Sequence, residues 1–138
     1  MRRRAAIACV VLLGGALDAR ARDPAVDYAL ECRGCHLADG AGTGTDVPDL
    51  RDSIGRFVTV PGGRAYLVRV PGSSQAPLDD AALAEVLNWM IRRFGPEKVA
   101  HELRPYDAAE VARFRAEPLV EVAAERERLL ESIAAATR

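Results

Sequence analysis

Between residues 78 and 96 the apolar positions Leu83, Val86, Leu87, Met90 and Phe94 recur at helical spacing, with polar residues between them. Asp79 stands where an N-cap belongs, Leu78 and Leu83 are spaced as a hydrophobic staple, and Gly95-Pro96 closes the run. The pattern predicts a helix from Asp79 through Phe94. A second start signal is Asp107 followed by Glu110, a capping box that opens a helix to about Ala116. Pro118 interrupts that pattern, and Leu119, Val122, Leu129, Leu130 and Ile133 then line one side of a further, charge-laced helix.

The earlier half is less regular. Asp23 as N-cap and Pro24 at the first helical position start a short helix that delivers the chain to Cys32. Residues 39–63 are rich in Gly, Pro, Thr and Asp and read as loop, a long one unless it wraps something. Residues 64–70 fit a short helix or a strand, with helix favoured by their place after the Gly-rich segment. Residues 71–77 read as another loop. The fold class is therefore mostly α.

Composition changes the picture mainly at the N-terminus. The 138 residues are 49% apolar, 28% charged and 5% aromatic, which fits one small domain and excludes a large two-domain enzyme. With Lys+Arg 19 against Asp+Glu 20, a basic nucleic-acid surface is not expected. Arg2, Arg3 and Arg4 precede an apolar run over residues 5–17 and the small-x-small Ala19-Arg20-Ala21. This is the pattern of a secretory signal peptide over residues 1–21, and the run falls short of the roughly 20 residues a membrane span needs. Cys9 lies inside the run and leaves with it. Cleavage removes four arginines and one aspartate and turns the balance mildly acidic. The expected location is periplasmic or secreted, with no stable membrane span in the mature chain.

Two cysteines then remain, in Cys32-Arg33-Gly34-Cys35-His36, a C-x-x-C-H sequence. Two thiols at this spacing can add to the two vinyl groups of one haem while the adjacent imidazole reaches its iron. A redox dithiol or a plain disulfide is the alternative, although a dithiol oxidoreductase wants a strand before the motif. Zinc lacks a second ligand pair at usable spacing.

With these residues the chain resembles the class I c-type cytochromes. The likeness extends through Asp39-Gly40-Ala41-Gly42, of D-G-x-G type, and Pro48-Asp49-Leu50, of P-x-L type, to the helix ending at Phe94, roughly residues 24 to 94. The resemblance implies a cytochrome c-like helical domain over residues 22–96 wrapped around one covalently attached haem c, with residues 97–138 as a C-terminal helical extension. It implies Cys32 and Cys35 as attachment points, His36 as proximal axial ligand, and the Pro48 carbonyl as acceptor for the imidazole N–H. It also implies Trp89 packed on the opening helix. The implied function is single-electron transfer between redox partners such as a periplasmic dehydrogenase or oxidase, without enzymatic activity of its own.

The likeness fails at one place. The family's usual loop methionine ligand is absent from residues 71–77. The candidates for the distal position are a vacant or water-bound site, Met90, and His101, with core packing the alternative role for Met90 and surface exposure that for His101. An open site would make a five-coordinate haem protein binding NO, CO or peroxide; a subunit of a larger oxidoreductase is another reading. Among Arg51, Arg56, Arg64 and Arg69, one or two are expected to pair with haem propionates.

Overall fold

Three of the described helices start on an aspartate side-chain cap, at Asp23, Asp79 and Asp107. The structure, a computed structural model, describes residues 22–44, 47–51 and 53–138; the expected signal peptide and Cys9 lie outside them. Asp23 accepts a hydrogen bond from the Ala25 amide at 2.9 Å and starts α1 (Pro24–Glu31), with Pro24 in its first turn. α2 (Arg33–His36) follows after Cys32. Then come α3 (Ser53–Phe57), α4 (Gly63–Arg69), α5 (Pro71–Ser74), α6 (Asp80–Phe94), α7 (Glu97–Glu102), α8 (Ala108–Arg115) and α9 (Val122–Ala136). Asp79 caps α6 through the Ala82 amide at 2.8 Å, and Gly95 ends it. The class is mostly α as expected, with no strand among the described residues.

α6 is the central element because its apolar face is wide: Leu83, Val86, Leu87, Met90, Ile91 and Phe94 are all buried. It packs against α1, α3, α7 and α8. At the α1 crossing the Tyr28 ring lies 5.1 Å from Trp89 and 5.4 Å from Phe94, so Trp89 meets the opening helix as the resemblance implied.

The sequence reading needs correcting in four places. Within the segment read as loop, Leu50, Ile54 and Phe57 recur at helical spacing and are buried, and this drives α3. Residues 71–77 contain the single turn α5, started by Pro71. α7 carries too little apolar periodicity to be anticipated. The capping box at Asp107 is half made: Asp107 accepts from the Glu110 amide at 2.8 Å, but the Glu110 carboxylate turns away. It binds Arg64 at 2.6 Å and Arg104 at 2.9 Å instead.

These contacts hold the chain after Gly95 onto the helices before it. Asn88, buried on α6, exchanges two hydrogen bonds with the Tyr106 backbone, at 2.7 and 3.0 Å, and the Tyr106 hydroxyl donates to the Arg64 carbonyl. The Arg64 guanidinium lies 3.8 Å from the Tyr106 ring centre. Glu110 is 6% exposed, so Glu110→Ala strands the Arg64 charge and is expected to cost about 3 kcal/mol, read by urea unfolding. The Arg64 guanidinium holds the Glu110 carboxyl below its ordinary range. Its contribution is therefore full above that range and lost as the pH falls through the lowered value, and Glu110→Ala should flatten the acid limb of stability.

Candidate functional site

The C-x-x-C-H segment is shaped by α1. The Cys32 amide donates to the Tyr28 carbonyl at 3.0 Å, and the Cys35 and His36 amides donate to the Cys32 carbonyl at 3.2 and 3.0 Å. One turn of helix therefore presents both thiols and the imidazole together. Leu37, at φ 60, then reverses the chain, and the Tyr28 hydroxyl fixes that reversal by donating to the Leu37 carbonyl at 2.6 Å. The strained residue is thus tied to the α1–α6 crossing.

The glycine loop then returns to the imidazole. Gly42, at φ 77, donates to the His36 carbonyl at 3.3 Å, and a Cβ there would collide with the Val47 and Pro48 carbonyls. Glycine is thus required for Pro48 to approach His36. Burial pulls the His36 pKa below 6.5, and the Pro48 carbonyl pulls it partly back. The imidazole is neutral at pH 7, the form that binds metal. Its Nδ1 is buried without a hydrogen-bond partner in good geometry, so Pro48 acts on the ring as a nearby dipole rather than through a formed bond.

Beside it is a cavity of about 380 Å³, a size suited to a cofactor. Cys35, His36 and Pro48 line it with Leu50, Ile54, Phe57, Leu67, Leu87 and Met90. Cys32 is half-buried and Cys35 exposed, and both are free thiols. Burial pushes the Cys32 thiol up to about 11, with Glu31, Asp27 and Cys35 adding to the effect. A dithiol oxidoreductase needs the opposite shift, toward an exposed thiolate. No group of three or more His, Cys, Asp or Glu suited to a metal occurs among the described residues, which removes support for zinc. An apolar cavity bordered by a neutral imidazole and the Cys35 thiol, with the Cys32 thiol one turn away, fits a covalently held haem.

Of the sequence-derived candidates, Cys35, His36, Pro48 and Met90 border the cavity, and Cys32 stands one turn away from Cys35. Met90 is buried on α6. His101 does not border it: the Gly95-Pro96 break directs α7 elsewhere, where His101 is 78% exposed and 3.8 Å from Glu97. None of Arg51, Arg56, Arg64 and Arg69 lines the cavity. Arg51 binds Asp49, Arg64 binds Glu110, and Arg69 donates to the Glu117 carbonyl. The arginine that does line it is Arg126 on α9, which sequence reasoning missed. The available signal was its place in the series Val122, Arg126, Leu129, Ile133, a charge in register with an apolar stripe.

Comparison with known proteins adds two findings. A protein named cytochrome c-552 from Thermus thermophilus is 34% identical over 139 residues, covering 86% of this chain and 93% of that one. A second Thermus thermophilus cytochrome c-552 is 33% identical over 127 residues, covering 78% of this chain and 96% of its own. No protein-family model matches the chain.

Proposed function

This chain belongs to the c-type cytochromes, and on that premise we propose that it is an exported mono-haem electron carrier, with haem c held by Cys32 and Cys35 and its iron ligated by His36. It is a carrier rather than an enzyme. When bound, haem c supplies a one-electron ferric/ferrous couple. The observation that carries the site assignment is the neutral His36 imidazole facing Pro48, beside an apolar cavity and two neighbouring free thiols.

The chain's residues perform the remaining tasks. Cys32 and Cys35, fixed by the α2 turn, set position and plane. Pro48 orients the imidazole and raises its basicity toward the metal. Leu50, Ile54, Phe57, Leu67 and Leu87 keep water from the cavity, so that little rearranges when charge changes. The leader pattern over residues 1–21 supports export, and no helix among the described residues is long and apolar enough to cross a membrane. The redox partner is a periplasmic dehydrogenase or oxidase whose docking face complements a mildly acidic surface through weak, salt-sensitive encounters. A reductive titration is expected to take up one electron per chain, with the purified periplasmic protein beginning at Arg22; uptake of two, or an intact leader, contradicts the proposal.

One observation favours a second reading, a five-coordinate iron that admits small molecules. The cavity walls contributed by α4, α5, Val70 between them, and α9 are Tyr66, Leu67, Val70, Pro71, Gly72, Ser73, Val122 and Arg126, without a methionine, histidine, cysteine or lysine. Beyond Cys35 and His36, Met90 on α6 is the one strong donor at the cavity among the described residues. Met90→Leu is expected to leave the oxidised absorption spectrum unchanged, and CO added to the reduced wild type is expected to shift the Soret band at once. Loss of a sulfur-to-iron charge-transfer band in Met90→Leu, with no CO effect on the wild type, would instead make Met90 the sixth ligand.

A further inference from the structure

Arg126 is the only cationic side chain bordering the cavity among the described residues, and it borders the adjoining open groove as well, as do Pro48, Ser53, Tyr66 and Val122. It therefore stands at the cavity mouth. Neighbouring arginines are occupied: Arg51 by Asp49 and Asp39, Arg64 by Glu110, and Arg128 by Glu125 at 2.6 Å. Arg126, half-buried, has no ion pair or hydrogen bond among the described residues. Its neighbour Tyr66 is buried to 6% exposure and stacked on Phe57 at 5.0 Å, yet its hydroxyl has no hydrogen-bond partner among them either. The Ser53 hydroxyl is already spent on the Asp49 carbonyl. A cation and a phenol, each without a partner among the described residues, thus border both the apolar cavity and the adjoining groove. Such a pair suits a carboxylate, which can accept from both.

We propose that Arg126 and the Tyr66 hydroxyl bind a haem propionate, so that the C-terminal helix α9 holds the charged edge of the cofactor. The inference rests on the haem assignment above. It gives the extension a role beyond covering apolar surface: Leu129 and Ile133 seat α9 in the core, and that seating fixes Arg126 at the mouth. A cation there also favours the reduced state, which carries one more negative charge than the oxidised one.

The test is the reduction potential of the covalently loaded, full-length protein. Arg126→Leu is expected to lower it, so that at a fixed solution potential the ratio of reduced to oxidised protein falls several-fold. Arg126→Lys keeps the charge and should recover most of the difference. Tyr66→Phe should shift the potential the same way by less. Arg128→Leu, which removes an arginine of the same helix that does not border the cavity, should leave it unchanged. If Arg126→Leu does not fold, Arg126→Gln, which keeps the stem, takes its place. A potential in Arg126→Leu or Arg126→Gln equal to that of Arg128→Leu overturns the proposal, and an unshifted Tyr66→Phe removes the hydroxyl from the site. Colourless wild-type protein would defeat the haem assignment itself, whereas coloured variants with unaltered potentials defeat only the propionate site.

Discussion

Protein carrying Cys32→Ala and Cys35→Ala together is expected to emerge without covalently bound haem, its peroxidase-type haem stain on a denaturing gel falling to background. The two thiols sit one helical turn apart because the Cys35 and His36 amides both close on the Cys32 carbonyl. They are free, and among the described residues no zinc-type cluster or activated dithiol environment competes for them. Each single replacement leaves one thioether and should give a weaker stain, with the polypeptide present at the same level by total protein stain. The substitutions should do little to the cap of α1 or to the Tyr28–Trp89 crossing, so a fold too damaged to load haem is not the expected cause. Equal haem staining in the double variant would remove both residues from the attachment site.

The second large effect belongs to His36→Ala. Its imidazole is neutral near pH 7, and its Nδ1 is directed into the protein beside Pro48. No other histidine borders the cavity, His101 being exposed on α7. On the proposed assignment, removal takes away the nitrogen ligand while leaving both thiols. The haem stain should persist, but the native absorption spectrum should be lost. Exogenous imidazole is expected to restore part of it by occupying the space left beside Pro48. An unchanged spectrum in His36→Ala would exclude His36 as the axial ligand.

Much of this was legible in the residues. The helices at Asp23, Asp79 and Asp107 were readable because a side-chain cap is a local event: the same aspartate that signals the start accepts the amide two or three residues on. C-x-x-C-H was readable for the same reason, since one turn of chain carries the thiols and the imidazole. What escaped depends on contacts made at long range. α3 stayed hidden inside a Gly- and Pro-rich segment because only burial of Leu50, Ile54 and Phe57 against the rest of the core repays its order. The Glu110 carboxylate looked like half of a capping box and is instead recruited by Arg64, 46 residues away. Arg64 and Arg51 looked available for a cofactor, but local and distant carboxylates already hold them. Arg126, the arginine that lines the cavity among the described residues, comes from a helix far along the chain from the C-x-x-C-H segment. Nothing short of the fold brings them together, although a charge set into an apolar stripe was a hint.

The most direct test of the account is extraction of the purified, exported wild-type protein with acidified acetone, followed by an absorption spectrum of both fractions. The account predicts that the haem spectrum stays with the precipitated polypeptide, at one haem per chain. Pigment passing into the acetone, or a protein without colour before extraction, would contradict it.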